Sequence, residues 1–183
     1  MSHQQAGSSA IDVLAPVTTL AMAVAAAQAG ARLVDAGADA PLAAGIRQAG
    51  VDVLICGQFE EADFVRDVVA AIRNGTGLIC TGAAAAERAE RQGMSRDRII
   101  VQVAPGELAA CGELAAAAGW RILVDVDRAA ATEAAAEAVA TVCAWQGAGV
   151  IRTRYVAQVR RCLDMTECIL GKRPPAWAVR GLA

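Results

Sequence analysis

Along the chain, short runs of Val, Ile and Leu alternate with longer Ala-rich stretches in which charged residues return at helical spacing. The short runs cover residues 10–14, 32–35, 51–56, 77–81, 98–103, 121–126 and 149–152. Each is almost continuously apolar, the pattern of a parallel strand covered on both faces. The longer stretches cover 18–29, 41–49, 60–73, 83–92, 107–118, 129–145 and 155–170. They are made mostly of Ala, Glu, Arg and Leu, all strong helix formers. Several end at a glycine (Gly30, Gly50, Gly75, Gly93, Gly119 and Gly147) with a strand run following within a few residues. Glycine just past a helix takes the left-handed cap conformation at little cost.

Strand, loop, helix and glycine thus repeat about seven times, with no hairpin signal between strands. Strict β–α alternation implies parallel strands joined by right-handed crossovers. A closed barrel and an open doubly wound sheet both satisfy it. The open sheet often carries a Gly-rich phosphate loop after its first strand. Here Leu14-Ala15-Pro16-Val17-Thr18 follows that strand, and no G-x-G-x-x-G or G-x-x-x-x-G-K-[ST] occurs in the chain. The prediction is a TIM-like (β/α) barrel with parallel strands, shortened to about seven βα units. It forms a single domain over 10–171, with tails over 1–9 and 172–183.

Composition sharpens this picture. At 56% hydrophobic residues, about a quarter of all positions being Ala, there is ample apolar surface for a core and the bulk of the chain is not disordered. The apolar runs are broken by charge well short of the ~18 residues of a membrane span. The stretch 15–29 superficially suggests a signal peptide, but no Lys or Arg precedes it and Asp12 lies where the positive region would be, so it reads as structure. A length of 183 residues falls under the ~200 lower end for an eightfold barrel. The expectation is a trimmed barrel, closed incompletely or completed by a twin subunit.

Two absences constrain the chemistry. The one lysine is Lys172 and the one histidine is His3, in the N-terminal tail. That argues against Ser-His-Asp and Cys-His catalysis, a Schiff-base lysine and His-rich metal sites. The six cysteines (Cys56, Cys80, Cys111, Cys143, Cys162 and Cys168) form no C-x-x-C pair. They are expected to be reduced, mostly buried thiols of a cytoplasmic protein.

From Gly93 onward, the order of motifs resembles dihydropteroate synthase, of the pterin-binding (β/α) barrel family. The family's Gly-Ile, spacer and Arg-Ile-Ile before an apolar strand is matched by Gly93-Met94-Ser95-Arg96-Asp97-Arg98-Ile99-Ile100-Val101. Gln102 stands where the family has Asp, and Pro105-Gly106 follow late. The family's strand ending in Ser-Arg-Lys corresponds to 122–126 followed by Asp127-Arg128-Ala129, which keeps the Arg and loses the Lys. Its last strand ends in Arg-x-His; here Arg152-Thr153-Arg154 puts Arg in place of His. Upstream, 29–37 resembles the family's second strand and matches it at Asp35 and Gly37.

The resemblance implies a pterin ring held by two strand Asp residues, an Asn and a Lys, and a pyrophosphate held by the Arg-x-His and a first-strand Asn. None of the pterin-holding set has a counterpart. Lys172 lies beyond the last strand, and Asn74, the one asparagine, sits in an Asn-Gly-Thr-Gly turn. The implied ligand is therefore pterin-like or phosphate-bearing, with dihydropteroate synthesis itself not expected.

Site expectations centre on the C-terminal mouth of the barrel, where such enzymes work. Arg152 and Arg154, two apart at a strand end, should point the same way and form a forked anion site. Asp125, Asp127 and Arg128 would complete a polar pocket. Asp127 has the simpler role of N-cap to the helix over 129–145. Asp35 suits a ligand contact or an ion pair with an arginine; Gln102 suits a backbone hydrogen bond. Asp35 and Asp125 are the weak candidates for catalysis.

Residues 152–183 carry seven basic and two acidic residues. Aromatics are too few, at 3%, for base stacking, so nucleic acid is not an expected partner. The strip Pro174-Pro175-Ala176-Trp177 is expected to pack on its own barrel or on a twin subunit, which makes a homodimer the expected assembly. Three functions follow: a degenerate pterin-family barrel binding a small anionic ligand, an active enzyme on an altered phosphorylated substrate, and an interaction scaffold.

Overall fold

Eight parallel strands close into a barrel in chain order, β1 pairing with both β2 and β8. The computed structural model describes residues 10–109, 113 and 118–174. The elements are β1 (Asp12–Pro16), α1 (Leu20–Gln28), β2 (Leu33–Asp35), α2 (Ala40–Gln48), β3 (Leu54–Cys56), β4 (Phe64–Val65) and α3 (Val68–Asn74). There follow β5 (Gly77–Thr81), α4 (Ala83–Arg91), β6 (Ile99–Val103), β7 (Arg121–Asp125), α5 (Glu133–Trp145), β8 (Val150–Arg152) and α6 (Val156–Ile169). Between β6 and β7, Leu108, Ala109, Glu113 and Ala118 are helical, while most of the helix expected over 107–118 lies outside the described residues. So do the tail 1–9, Cys111 and Pro175-Ala176-Trp177 of the expected docking strip. No helix among the described residues is long and apolar enough to cross a membrane.

The (β/α) barrel stands as expected, but its strand count and closure do not. Part of the helix expected over 60–73 is strand β4, and α3 begins only at Val68, its first turn capped by Asp67 accepting from the Ala70 amide at 2.7 Å. β4 bridges β3 and β5 through Cys56↔Phe64 and Phe64↔Gly77, so the barrel closes within one chain and needs no twin subunit to complete it. The β3–β4 connection contains no helix, which is how a short chain affords an eighth strand. Gly77 makes room for it: a Cβ there would stand 2.3 Å from the Phe64 ring.

One interior residue from each strand fills the barrel: Leu14, Leu33, Cys56, Phe64, Ile79, Ile100, Leu123 and Val150. The alternate positions, among them Val13, Val34, Ile55, Val101, Val124 and Ile151, pack outward against the helices. This period of two, set by the pleat, makes the interior a solid plug and leaves only its two ends for chemistry.

Candidate functional site at the barrel mouth

Two residues beyond the apolar plug, toward the C-terminal end of the strands, the same inward period meets Asp35, Arg66, Thr81, Gln102, Asp125 and Arg152. The strand pairings hold this layer in place: Thr81 is in register with Gln102, and Asp125 with Arg152. Each side chain follows an inward apolar residue, buried in every strand but β4, where Phe64 is half-buried, so the layer caps a hydrophobic floor.

The layer is one ionic network. Arg152 Nη1 donates to Asp125 Oδ2 at 2.9 Å, and Arg152 Nε lies 3.4 Å from Asp35 Oδ2. Arg66 Nη1 donates to Gln102 Oε1 at 3.0 Å, while its Nη2 meets Asp35 Oδ2 at 3.5 Å. Arg128 approaches Asp125 Oδ2 at 3.5 Å from outside. Asp35 is also tied locally, its Oδ1 accepting from the Gly37 amide at 3.1 Å. The Asp125 side chain is only 8% exposed, and its Oδ1 has no hydrogen-bond partner. Beside the network opens a cavity of about 330 Å³ bordered by Arg66, Thr81, Gln102, Glu107, Asp125 and Arg128.

The structure therefore brings Asp35, Gln102, Asp125, Arg128 and Arg152 together, and Asp35 takes the ion-pair option. Gln102 bonds a side chain, Arg66, where a backbone partner was expected. Arg154 is elsewhere. β8 ends at Arg152, Thr153 is buried, and the Arg154 guanidinium sits 4.9 Å above the Tyr155 ring beside a groove between α1 and α6. The fork of Arg152 and Arg154 does not form, because strand alternation stops one residue too soon.

Asp127 is the cause of that stop, and it is not a helix cap. Its Oδ1 accepts from the Thr153 hydroxyl at 2.9 Å and its Oδ2 from the Arg154 amide at 2.8 Å, fixing the turn that follows β8. A 3-10 turn over Val126–Arg128 separates it from Asp125, so the two do not share a face. Thr132 caps α5 instead, accepting from the Ala135 amide at 3.3 Å.

Arg66 escaped the sequence because it follows a strand only two residues long. Its signal lies in the period itself: Phe64 inward places Arg66 inward as well. Cys56 and Cys80, in the strands below this layer, are buried thiols. Burial, with the Asp35 carboxylate beside it, pushes the Cys56 thiol far up, and burial pushes Cys80 up to about 11. Cys143 is buried too, Cys162 and Cys168 are partly exposed, and no group of His, Cys, Asp and Glu among the described residues could hold a metal ion. Lys172 is at the opposite end of the barrel, bordering a cavity with Ile11, Asp12 and Arg160. Asn74 ends α3 and bonds Arg73 and the Glu60 carbonyl.

No protein-family model matches the sequence, and no curated protein matches it. Solved structures do match in shape. Rv1207 of Mycobacterium tuberculosis superposes with a TM-score of 0.73 at 23% identity, covering 92% of this chain and 95% of that one. The dihydropteroate synthase of Yersinia pestis gives 0.74 at 17% identity, covering 89% and 94%. That of Coxiella burnetii, solved in complex with pteroic acid, gives 0.72 at 14% identity, covering 88% and 94%. The fold of this chain is the fold of the dihydropteroate synthases.

Proposed function

We propose that this cytoplasmic barrel binds a small anionic ligand, phosphorylated or carboxylated, at its C-terminal mouth, and does not form dihydropteroate. The observation that carries the proposal is a pair of arginines, Arg66 and Arg128, bordering an open cavity above an apolar floor, with Arg152 tied to them through Asp35 and Asp125. Guanidinium groups keep their charge at any physiological pH and bind oxyanions in a forked geometry. Gln102 and Arg128 contact the ligand directly, and Asp127 shapes the rim through the turn after β8. Arg154, in its own groove, is outside the set. The loss of synthase chemistry is supported by the place of Lys172 at the opposite end of the barrel and by Asn74, whose side chain is bonded to Arg73 and the Glu60 carbonyl. The pteroic acid held by the Coxiella burnetii enzyme makes a pterin-like ring a second ligand class to screen.

Two assays test the proposal. Dihydropterin pyrophosphate and 4-aminobenzoate should give no condensation product, and clear turnover would overturn the loss of synthase activity. Phosphate-bearing probes should bind the wild type and fail to bind Arg152→Ala, whereas equal affinity would remove the anion site.

A second reading has one observation in its favour. Asp35 and Asp125, from strands on different sides of the mouth, converge on the same guanidinium. In an active enzyme of altered substrate these would be the acid–base pair. Turnover that disappears in both Asp35→Asn and Asp125→Asn would select it. A homodimer is supported by the apolar side chains of Val142, Trp145, Met165 and Ile169 exposed on α5 and α6, and the mass in solution checks it.

A further inference from the structure

We propose that the mouth cavity takes a small phosphorylated primary amine, its phosphate at the N-terminus of α4 beside Arg66 and Arg128 and its ammonium on Asp125. This rests on the anion-binding reading above and adds both the ligand's second group and the place of each end.

The phosphate end is set by α4. This nine-residue helix follows Gly82, which offers no side chain to its first-turn amides; α6 after Tyr155 is also uncapped, whereas α1, α2, α3 and α5 are capped by Thr19, Asp39, Asp67 and Thr132. A Cβ built on Gly82 would meet nothing within 4 Å, so the approach to those amides is open. Thr81, Gly82, Arg66 and Arg128 all border the same cavity. Free amides, the helix dipole and two guanidinium groups together make a site for a dianionic oxyanion.

The ammonium end is set by Asp125, which lines that cavity and is more than nine-tenths buried with an unpartnered Oδ1. A buried carboxylate oxygen without a donor is costly, and a ligand that donates to it recovers that cost. On its other oxygen, Asp125 meets Arg128, which is 76% exposed and held only by the 3.5 Å contact to Oδ2. A phosphate at α4 draws Arg128 toward itself, and the ligand's ammonium takes the vacated position on Asp125. The exchange leaves one positive charge on Asp125 as before. It also fits the balance of the mouth, where Arg66, Arg128 and Arg152 face Asp35, Asp125 and Glu107. A simple anion that drew Arg128 away would leave Asp125 with Arg152 alone; a ligand with both charges supplies a donor to Asp125 as well as an anion to α4.

Titration calorimetry on the full chain with O-phosphoethanolamine, ethyl phosphate and inorganic phosphate tests this. Ethyl phosphate is the same molecule without the amine. The wild type should bind O-phosphoethanolamine at least about tenfold more tightly than ethyl phosphate, the size of one charge-assisted contact. Asp125→Asn should erase that preference, and Arg128→Ala should weaken both. Equal affinity of the wild type for the two probes overturns the inference, and that comparison needs no variant to fold. If the probes bind equally and binding requires Arg152, the anion reading stands and the inference alone falls. Binding of none of the three probes removes both.

Discussion

The barrel carries an ionic cluster at each end, and the two are wired differently. At the base, Glu167 accepts from the Ile11 amide through one oxygen and from Arg160 at 3.0 Å through the other. Arg160 donates onward to the Ile11 carbonyl, and Arg121 joins Asp12 at 2.6 Å to the Gly149 carbonyl at 3.0 Å. Charges there are stitched to backbone, pinning β1 to α6 and β7 to the β8 approach. At the mouth, Arg66, Arg128 and Arg152 bond only to side chains. A network of side chains can change partners without moving a strand. The base is therefore a structural clamp, and the mouth is the end whose charged side chains can change partners.

The sharpest way to break this comparison is at Glu167, 2% exposed in its side chain. Glu167→Ala leaves the Ile11 amide without its acceptor and Arg160 without its buried partner. A loss of about 3–5 kcal/mol is expected, the range for breaking a buried pair on one side. Urea denaturation measures it. A change under about 0.5 kcal/mol, the scale of an ordinary surface substitution, would show that the base is no clamp.

Arg152→Met should cost less, roughly 1–3 kcal/mol, although it strips a guanidinium from two carboxylates. No backbone group loses its partner, and Arg66 and Arg128 remain to face Asp35 and Asp125. The same variant should lose the binding of phosphate probes. A larger loss of stability than for Glu167→Ala would reverse the assignment of the two ends.

The layer between the strands and the helices makes a smaller contribution, confined to alkaline pH. The Cys80 thiol rises from 9.0 to about 11 on folding, because burial disfavours its thiolate. Between those values the folded chain holds a proton that the unfolded chain has released, so stability falls as pH rises through the window. The contribution is intact below 9.0, the unfolded value. Cys80→Ala should flatten the decline seen in unfolding curves across that range; an unchanged slope would show that Cys80 titrates normally.

What could be read from the sequence divides along the same physical line. The run over 77–81 coincides with β5 because a strand buried on both faces writes itself as unbroken Leu-Ile-Cys. Phe64–Val65 writes nothing: two residues between Asp63 and Arg66 carry no period, and the Ala-rich context of α3 absorbs them. With β4 hidden, Arg66 could not be placed at the mouth, although Asp35, Asp125 and Arg152 could. Arg154 went astray for a different reason. Its position depended on the strand continuing past Arg152, and that was decided by Asp127, whose two hydrogen bonds to Thr153 and Arg154 are tertiary. Local pattern thus located the layer, while long-range bonds decided which of its neighbours belong to it.

The smallest effect on stability, and the most discriminating, belongs to Arg128. It is the exposed member of the mouth network, three-quarters open to solvent and 3.5 Å from its carboxylate. Exposed pairs of that kind contribute little, so Arg128→Ala should shift the unfolding free energy by no more than about 0.5 kcal/mol. Arg152 keeps its 2.9 Å bond to Asp125 Oδ2, so the inner network survives. Binding should respond in the opposite proportion, since Arg128 is the more exposed of the two guanidinium groups bordering the proposed anion site. A variant with an unchanged melting temperature and about tenfold weaker binding of ethyl phosphate would separate function from stability within one side chain. If stability and binding fell together, Arg128 would belong with the clamp at the base. The mouth would then be a second structural layer rather than the end left open for a ligand.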